Sequence, residues 1–435
     1  MQWKKTRISG WGRVLTAAQS VARPERLSAL KDLPPAPAFG NLRSYGDAPL
    51  NGGGQGIDMT RMDRFLAFDP KTGVLDVEAG VSIIDILRTF GPKGWMPSVM
   101  PGTGFATVGG CIANDVHGKN HHGAGSFGQY VESLVLVGAN GKSRRVSAER
   151  ESAVFHATLG GLGQTGVIHS ARLQLTPCLG GKMRVTDRRI GDIHTFVDAL
   201  ESSTAPYAVG WIDATATGAE IGRGTLEEGA FLPDSIFSPP AKRKSVPFNA
   251  PGFTLAPTIV RLFNAYYISR TSVAGRHRMR TLEEFFFPLD AIRNWNRLYG
   301  KKGFYQFQCV IPMEGATEVL TEMLKRVERS GLVSPLAVLK KLGPGRAGPM
   351  SFPMEGMTLA LDLPNRASTL DVLTRLEALT LEANGRVYLA KDANTSPAAI
   401  PAMYPERAAF AEVVNRVDPE GKFETDLVRR LGLRG

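Results

Sequence analysis

Residues 39–47 read FGNLRSYGD, a short polar loop with a glycine near each end. A proline-rich approach, LPPAPA at residues 33–38, leads into it. Such a loop can point several successive backbone N–H groups at a diphosphate, which creates an anion-binding nest without a helix. The alternative for this segment taken alone is a plain surface turn.

A second glycine-rich region follows, with PGTG at residues 101–104, TVGG at 107–110 and NDVHGKNHHG at 114–123. The last of these holds three of the seven histidines within six residues. A zinc site would need a Cys or Glu partner at ligand spacing, and none is present there. We therefore expect no metal, and a polar loop whose imidazoles hydrogen-bond a buried ligand.

The segment GGLGQTG at residues 160–166 contains the pattern GxGxxG. A dinucleotide-binding Rossmann loop needs a helix after that pattern, so that the diphosphate meets the helix N-terminus. Here the next residues, VIHSARLQL, alternate between apolar and polar side chains as a strand does. The sequence therefore argues against a Rossmann fold.

The remaining patterns of the N-terminal half indicate short strands and helices. Residues 74–81 alternate as a strand, and Ser82 with Asp85 three residues later predicts the start of a helix. Residues 131–138 predict another strand, and the pair Asn140-Gly141 predicts a type I′ hairpin turn after it. This mixture is typical of the α+β class.

Residues 224–258 differ from their surroundings, with six prolines and the basic cluster Lys242-Arg243-Lys244. We interpret this segment as an irregular, mobile excursion. Apolar residues follow the basic cluster, among them Phe248 and Phe263. Two states fit this combination: peripheral contact with an anionic membrane, and a disordered surface loop.

The composition is that of a globular protein, with 43% hydrophobic and 21% charged residues among 435. The net charge of +11 favours an anionic partner: a nucleotide cofactor, a phosphorylated substrate, nucleic acid or an acidic membrane surface. No basic helix interleaved with aromatic residues stands out, so we expect no nucleic-acid partner.

The cysteines Cys111, Cys178 and Cys309 form no CxxC pair, which argues against a disulfide framework and fits a reducing compartment. The basic N-terminus lacks an apolar signal-peptide core. No window reaches about 18 consecutive apolar residues, so we predict no transmembrane segment. We expect a cytoplasmic protein, with any membrane contact being peripheral at the inner membrane.

Six motifs in order carry a resemblance that covers nearly the whole chain and is weakest at 224–258. They are SGWGR (9–13), RSYGD (43–47), IDMTRMDR (57–64), TVGGCIANDVHGKNHHGAGSFG (107–128), GPGRAGPMSFPM (343–354) and RVYLAKD (386–392). The chain resembles the decaprenylphosphoryl-β-D-ribose 2′-oxidase family of the vanillyl-alcohol-oxidase superfamily.

The resemblance implies an α+β protein with a PCMH-type FAD-binding domain of two α/β subdomains and an antiparallel-sheet substrate domain. We assign residues 1–178 and 386–435 to the FAD domain, and residues 179–385 to the substrate domain.

Because RSYGD contains no histidine, we expect FAD to be bound non-covalently. The residues implied to contact FAD are Ala38, Phe39, Gly40, Asn41, Leu42, Arg43, Ser44, Tyr45, Gly46, Asp47, Ala48, Gly102, Thr107, Val108, Gly109, Gly110, Asn114, Asp115, Val116, His117, Ile168 and Tyr388.

The reaction implied by the resemblance is oxidation of the 2′-hydroxyl of a polyprenyl-phosphoryl ribose to a 2′-keto sugar. An NAD(P)H-dependent keto-sugar reductase would then complete the epimerisation to the arabinose donor of cell-wall arabinan. A soluble sugar-alcohol or aldonolactone oxidase of the same fold is the alternative.

Alcohol oxidation by hydride transfer needs a group that accepts the hydroxyl proton. Lys391 is the leading candidate, Tyr45 can share that role, and His117 orients the cofactor or a hydroxyl. The residues implied to bind the substrate are Gln308, Lys340, Gln306 and Lys119.

Overall fold

A computed structural model describes residues 2–239 and 242–435. Its strands are Lys4–Ser9 (β1), Thr16–Ala22 (β2), Ala38–Phe39 (β3), Gln55–Asp58 (β4), Phe65–Phe68 (β5), Val74–Glu78 (β6), Trp95–Pro97 (β7), Val131–Val137 (β8), Ser143–Ser147 (β9), Val167–Pro177 (β10), Lys182–Ile190 (β11), Tyr207–Ile212 (β12), Gly224–Leu232 (β13), Lys244–Ser245 (β14), Arg276–Thr281 (β15), Ile292–Arg293 (β16), Phe304–Ile311 (β17), Ala337–Leu342 (β18), Gly356–Pro364 (β19) and Arg386–Val387 (β20).

Helices alternate with these strands. They are Leu27–Lys31 (α1), Ile83–Phe90 (α2), Val108–Ala113 (α3), His121–Ala124 (α4), Ser152–Thr158 (α5), Ile193–Glu201 (α6), Pro257–Ser269 (α7), Leu282–Phe286 (α8), Ala316–Arg329 (α9), Thr369–Glu382 (α10), Ile400–Met403 (α11), Arg407–Val417 (α12) and Asp426–Leu431 (α13). Short 3₁₀ turns include Gly252–Leu255 and Trp295–Tyr299. The α+β class predicted from the sequence is confirmed.

Two sheets form the N-terminal part. The first has the order β1-β2-β4-β3, and the second has the order β5-β6-β10-β8-β9 with β7 also paired to β10. The predicted N-cap is confirmed, because the Ser82 hydroxyl accepts a hydrogen bond from the Asp85 backbone N–H. The hairpin between β8 and β9 is confirmed as well, but its turn is not type I′. Only Gly141 of the two turn residues has a positive φ, whereas type I′ requires both.

The segment that follows GxGxxG is β10, which pairs with β6 and β8. A strand in this position confirms that the glycine pattern does not open a Rossmann helix. The pattern is instead a turn leading into the centre of the second sheet.

An eight-stranded antiparallel sheet forms the second half, in the order β15-β11-β13-β12-β18-β19-β17-β20. One face packs against α6, α9 and α10, where Phe196, Leu320 and Leu376 are fully buried with Leu359 and Leu361 of the sheet. Because side chains alternate between the faces of a strand, the intervening residues of β17, β18 and β19 point to the other face. The β20 strand extends this sheet past residue 385, the predicted end of the substrate domain.

The prediction of an irregular, mobile segment at 224–258 is wrong over its first nine residues. Residues 224–232 are the regular strand β13, which pairs along its length with β11 and over six residues with β12. A Cβ at Gly229 would meet the ring of Phe285 at 2.4 Å, so the glycine is there for close packing rather than for a loop. Among the described residues, the rest is irregular apart from β14, a 3₁₀ turn and the first two residues of α7, and residues 240 and 241 lie outside the described residues.

Arg430 links two segments that are distant from each other in the sequence. Arg430 of α13 donates to both carboxylate oxygens of Asp47 at 2.8 and 2.9 Å, and to Asp392 at 2.7 Å. Both carboxylates are buried, with side chains only 5% and 4% exposed. Arg430 therefore joins the loop at 39–47 to the segment that contains Lys391.

Replacing Arg430 by Met should lower the free energy of unfolding by about 3 kcal/mol, because it leaves two neighbouring buried carboxylates without their counter-ion. Chemical denaturation of the two proteins measures this. Arg375→Met provides the control, since it removes an exposed pair with Asp371 on α10 and should change stability by less than about 1 kcal/mol. Equal effects of the two substitutions would contradict the role assigned to Arg430.

Candidate active site

A cavity of about 660 Å³ lies between the loops of the N-terminal half and the open face of the eight-stranded sheet. Its volume is within the usual range for small-molecule sites. Most of the predicted cofactor residues line it: Ala38, Phe39, Gly40, Asn41, Leu42, Arg43, Ser44, Tyr45, Ala48, Gly102, Thr107, Gly109, Gly110, Asn114, Val116, His117, Ile168 and Tyr388.

Strand periodicity places the polar residues of the sheet in this cavity. Gln306 and Gln308 of β17 line it, as do Lys340 of β18 and Thr358 and Ala360 of β19. Their sequence neighbours, such as Phe307, Cys309 and Leu339, are buried in the core on the other face. Three of the four predicted substrate residues therefore line the same wall.

His117 lies at the centre of a hydrogen-bonded row on that wall. Its Nε2 lies 2.9 Å from the Gln308 amide nitrogen, and its Nδ1 lies 3.1 Å from the Lys340 amino nitrogen. Burial lowers the pKa of His117 well below its usual value, and the Lys340 charge lowers it further. The two contacts hold the neutral imidazole from both sides, between the Gln308 amide and the Lys340 amine.

The two cavity lysines both have pKa values below the usual lysine range. Burial, together with charge repulsion from Lys119 and Lys391, lowers the pKa of Lys340 to about 7. Burial also lowers the pKa of Lys391, to about 8, but the nearby carboxylate of Asp362 opposes this shift. Both amines can therefore exchange a proton near neutral pH.

Tyr45 and Asp362 surround Lys391. The Lys391 amino group lies 4.0 Å from the centre of the Tyr45 ring. Burial raises the pKa of Tyr45 well above its usual value, so its hydroxyl stays protonated. Asp362 accepts hydrogen bonds from the Tyr299 hydroxyl at 3.0 Å and from the Gln306 amide, and burial raises its pKa to about 7.

The sequence reasoning missed Asp362 and a second carboxylate, Asp290. Asp290 lines the cavity and accepts from the Thr103 hydroxyl and the Gly104 N–H, both at 2.8 Å. It thereby anchors the glycine loop at 101–104 to the opposite half of the molecule. Its position in the short 3₁₀ turn Pro288–Ala291 gave no signal, whereas the alternation of β19 could have placed Asp362 on the same face of the strand as Thr358 and Ala360.

Four predicted cofactor residues do not line the cavity. Asp47 pairs with Arg430, and Gly46 sits so close to Asp392 that a Cβ would overlap its carbonyl oxygen. Val108 is fully buried in the apolar core. Asp115 accepts from the N–H groups of Gly128 and Ala347, so its role is to hold loops.

Lys119 is the one predicted substrate residue that lies outside the cavity lining. Its amino group lies 2.8 Å from Glu227, donates to the Phe285 carbonyl and lies over the Phe285 ring. Glu227 belongs to β13, the strand that was predicted to be an irregular loop, so the partner of Lys119 was not visible in the sequence. The substrate contact of Lys119 stays a prediction, and in this structure its amino group is held by Glu227 and Phe285.

The other two histidines of the loop have structural partners. The His121 Nδ1 accepts from the Gly343 N–H at 3.1 Å, and the His122 Nε2 lies 2.9 Å from the Ala205 carbonyl. Over residues 2–239 and 242–435, no group of three or more His, Cys, Asp or Glu side chains is arranged to hold a metal ion.

Two buried polar atoms on the cavity wall fit a bound molecule. The Asn114 Oδ1 and the Arg43 Nε have no hydrogen-bond partner among the described residues. Buried polar atoms are almost always hydrogen-bonded, so these two need a ligand or ordered water. The Arg43 guanidinium also stacks on Trp11, with 4.1 Å from its carbon to the ring centre, which keeps a positive charge at the wall. An anionic nucleotide matches both features.

Comparison with known proteins defines the class. Residues 31–147 match a family model described as an FAD binding domain, and this range contains both glycine-rich loops of the cavity. The protein is an FAD-dependent oxidoreductase that acts on a CH–OH group.

The chain is 36% identical to the decaprenylphosphoryl-β-D-ribose oxidase of Mycolicibacterium smegmatis, over 98% of this chain and 97% of that protein. It belongs to the decaprenylphosphoryl-β-D-ribose oxidase family. An uncharacterized protein of the mprA 5′ region of Streptomyces coelicolor is 34% identical over 79% of this chain and 97% of its own length. The L-gulonolactone oxidase of Bos taurus is 32% identical, over 28% of this chain and 27% of its own.

FAD should be released intact when the protein is precipitated with trichloroacetic acid, because the loop at 38–48 offers no histidine for a covalent bond. The measurement is the absorbance of the supernatant and the colour of the washed pellet. A yellow pellet, or a flavin-containing peptide in a tryptic digest, would show that the bond is covalent after all.

Proposed function

We propose that this chain uses FAD to oxidise the 2′-hydroxyl of a polyprenyl-phosphoryl ribose to the 2′-keto sugar. The observation that carries the proposal is that the polar side chains of Gln308, His117, Lys340 and Lys391 line the same cavity as the predicted FAD loops. A relative that matches this chain along its whole length is named for the same sugar lipid.

The chemistry requires removal of a proton and a hydride from the same carbinol group. Bound FAD supplies the hydride acceptor. The neutral amine of Lys391 takes the hydroxyl proton, because its pKa of about 8 keeps a usable fraction uncharged at neutral pH. Tyr45, whose pKa is raised, keeps its proton and offers its ring face and hydroxyl to the site.

The remaining residues of the wall position the sugar. Gln308 and Lys340 fix the ring of His117 from both sides, so that the imidazole presents one orientation to the ligand. The Lys340 amine, when charged, suits the phosphate or a sugar hydroxyl. Gln306 is held by Asp362 and completes the wall beside Tyr45.

The keto product needs a second enzyme to become the arabinose epimer. We infer an NAD(P)H-dependent keto-sugar reductase as partner, because a hydride must be returned to the opposite face of the same carbon. The alternative activity, a soluble sugar-alcohol or aldonolactone oxidase, has weaker support, since the lactone oxidase reported above matches only about a quarter of the chain.

Anaerobic addition of polyprenyl-phosphoryl ribose should bleach the flavin absorbance of the holoenzyme, because no oxidant is present to reoxidise it. The Lys391→Met variant should bleach at least about a hundredfold more slowly while retaining its flavin spectrum. An aldonolactone and the unprenylated sugar serve as controls. If either control bleaches the flavin as fast as the prenyl-linked sugar, the alternative activity is the correct one.

The pH dependence of kcat/KM should rise with an apparent pKa near 8, as Lys391 loses its proton. Because the carboxylate of Asp362 raises the pKa of Lys391, Asp362→Asn should move this limb to lower pH. Tyr299→Phe removes one hydrogen bond to Asp362 without removing its charge, and should shift the limb far less. An unchanged limb in Asp362→Asn would exclude Lys391 as the titrating base.

A further inference from the structure

Helix α7 exposes its apolar side. Val260, Asn264 and Ile268 are buried, whereas Leu262 is 67% exposed and Tyr266 is 62% exposed. Ile259, Leu262, Phe263 and Tyr266 recur at the spacing of one helical face, so they form a continuous apolar stripe. Phe253 before the helix and Val273 after it are also exposed. Contiguous exposed apolar surface of this kind marks an interaction site.

The charged residues in the sequence around this stripe are all positive. Between Asp234 and Glu283 there is no acidic residue, but there are eight lysines and arginines. Three of them, Arg243, Arg278 and Arg280, form ion pairs with residues outside this stretch. No ion pair within the part of the chain that the structure describes involves the other five, which are Lys242, Lys244, Arg261, Arg270 and Arg276.

The same stretch is attached to the cavity wall. Strand β14 pairs with β16, whose residues Ile292 and Arg293 line the cavity. Arg297 donates to the carbonyls of Val246 and Pro247 at 3.0 and 2.8 Å. The segment that precedes the exposed helix therefore pairs with a strand that lines the cavity.

We propose that α7 and the basic residues beside it form a docking surface for an anionic lipid bilayer. An amphipathic helix with an apolar face and flanking cations lies in the plane of the membrane interface and binds by both burial and charge. Tyr266 and Tyr267 supply the amphipathic aromatic side chains that favour the headgroup region. A protein partner of matching shape would have to supply several carboxylates to cover this surface.

Membrane docking by this surface does not depend on the proposed reaction. Only its consequence for substrate access rests on the proposed function. A substrate with a polyprenyl tail resides in the bilayer, so an interface next to β16 would shorten its path to the cavity. Binding to vesicles without sugar lipid tests the surface alone, and turnover with detergent-dispersed substrate tests the reaction alone.

The holoenzyme should sediment with vesicles of phosphatidylcholine and phosphatidylglycerol, and much less with phosphatidylcholine alone. Leu262→Ser combined with Phe263→Ser should lower the partition coefficient at least about tenfold, through lost apolar burial. Replacing Arg261, Arg270 and Arg276 by Gln should lower it about fivefold for each charge, with the difference shrinking at high salt.

The matched control is Leu370→Ser with Leu381→Ser, two partly exposed leucines of α10 outside this stretch, which should leave binding unchanged. Flavin content and thermal unfolding confirm that each variant is folded. Equal sedimentation with neutral and anionic vesicles, or wild-type binding by the Leu262/Phe263 variant, would overturn the proposal. So would a wild-type dimer that this variant converts to a monomer, because the surface would then belong to a second copy.

Discussion

The arrangement of the active site depends on the contact of Arg430 with Asp47 and Asp392. Two carboxylates this close repel each other in a buried setting unless a cation lies between them. With Arg430 in place, the loop at 39–47 and the segment at 390–392 approach so closely that the Tyr45 N–H donates to the Ala390 carbonyl at 3.1 Å. Tyr45 and Lys391 thereby reach the same cavity from opposite ends of the sequence.

The eight-stranded sheet forms the other half of the site. Its contribution follows from the alternation of side chains between the two faces of a strand. Alternate residues of β17, β18 and β19 pack under helices, and those between them form a polar wall. The same strands therefore contribute to the core on one face and line the cavity on the other. Gln308 and Thr358 on this wall are each flanked by two buried apolar residues, so the core on the other face of the sheet holds them in place.

Local patterns were enough to predict much of this protein. The FGNLRSYGD loop, the Ser82 cap and the strand after GxGxxG all have their signal within a few residues. At the site, what the sequence could not show are partners that are distant along the chain. Lys119 meets Glu227 across 108 positions and Asp47 meets Arg430 across 383, so no local pattern could show that these charges are already satisfied.

The low pKa of Lys340 has a thermodynamic consequence for ligand capture. A phosphate that binds beside this amine favours its charged form, so the complex takes up a proton that the free protein does not hold. The contribution to affinity is complete below the free-state pKa of about 7, and is lost as the pH rises through the higher pKa of the complex. Lowering the pH therefore strengthens phosphate binding but protonates Lys391, the proposed base. Because these two effects oppose each other, efficient turnover is confined to a narrow pH range.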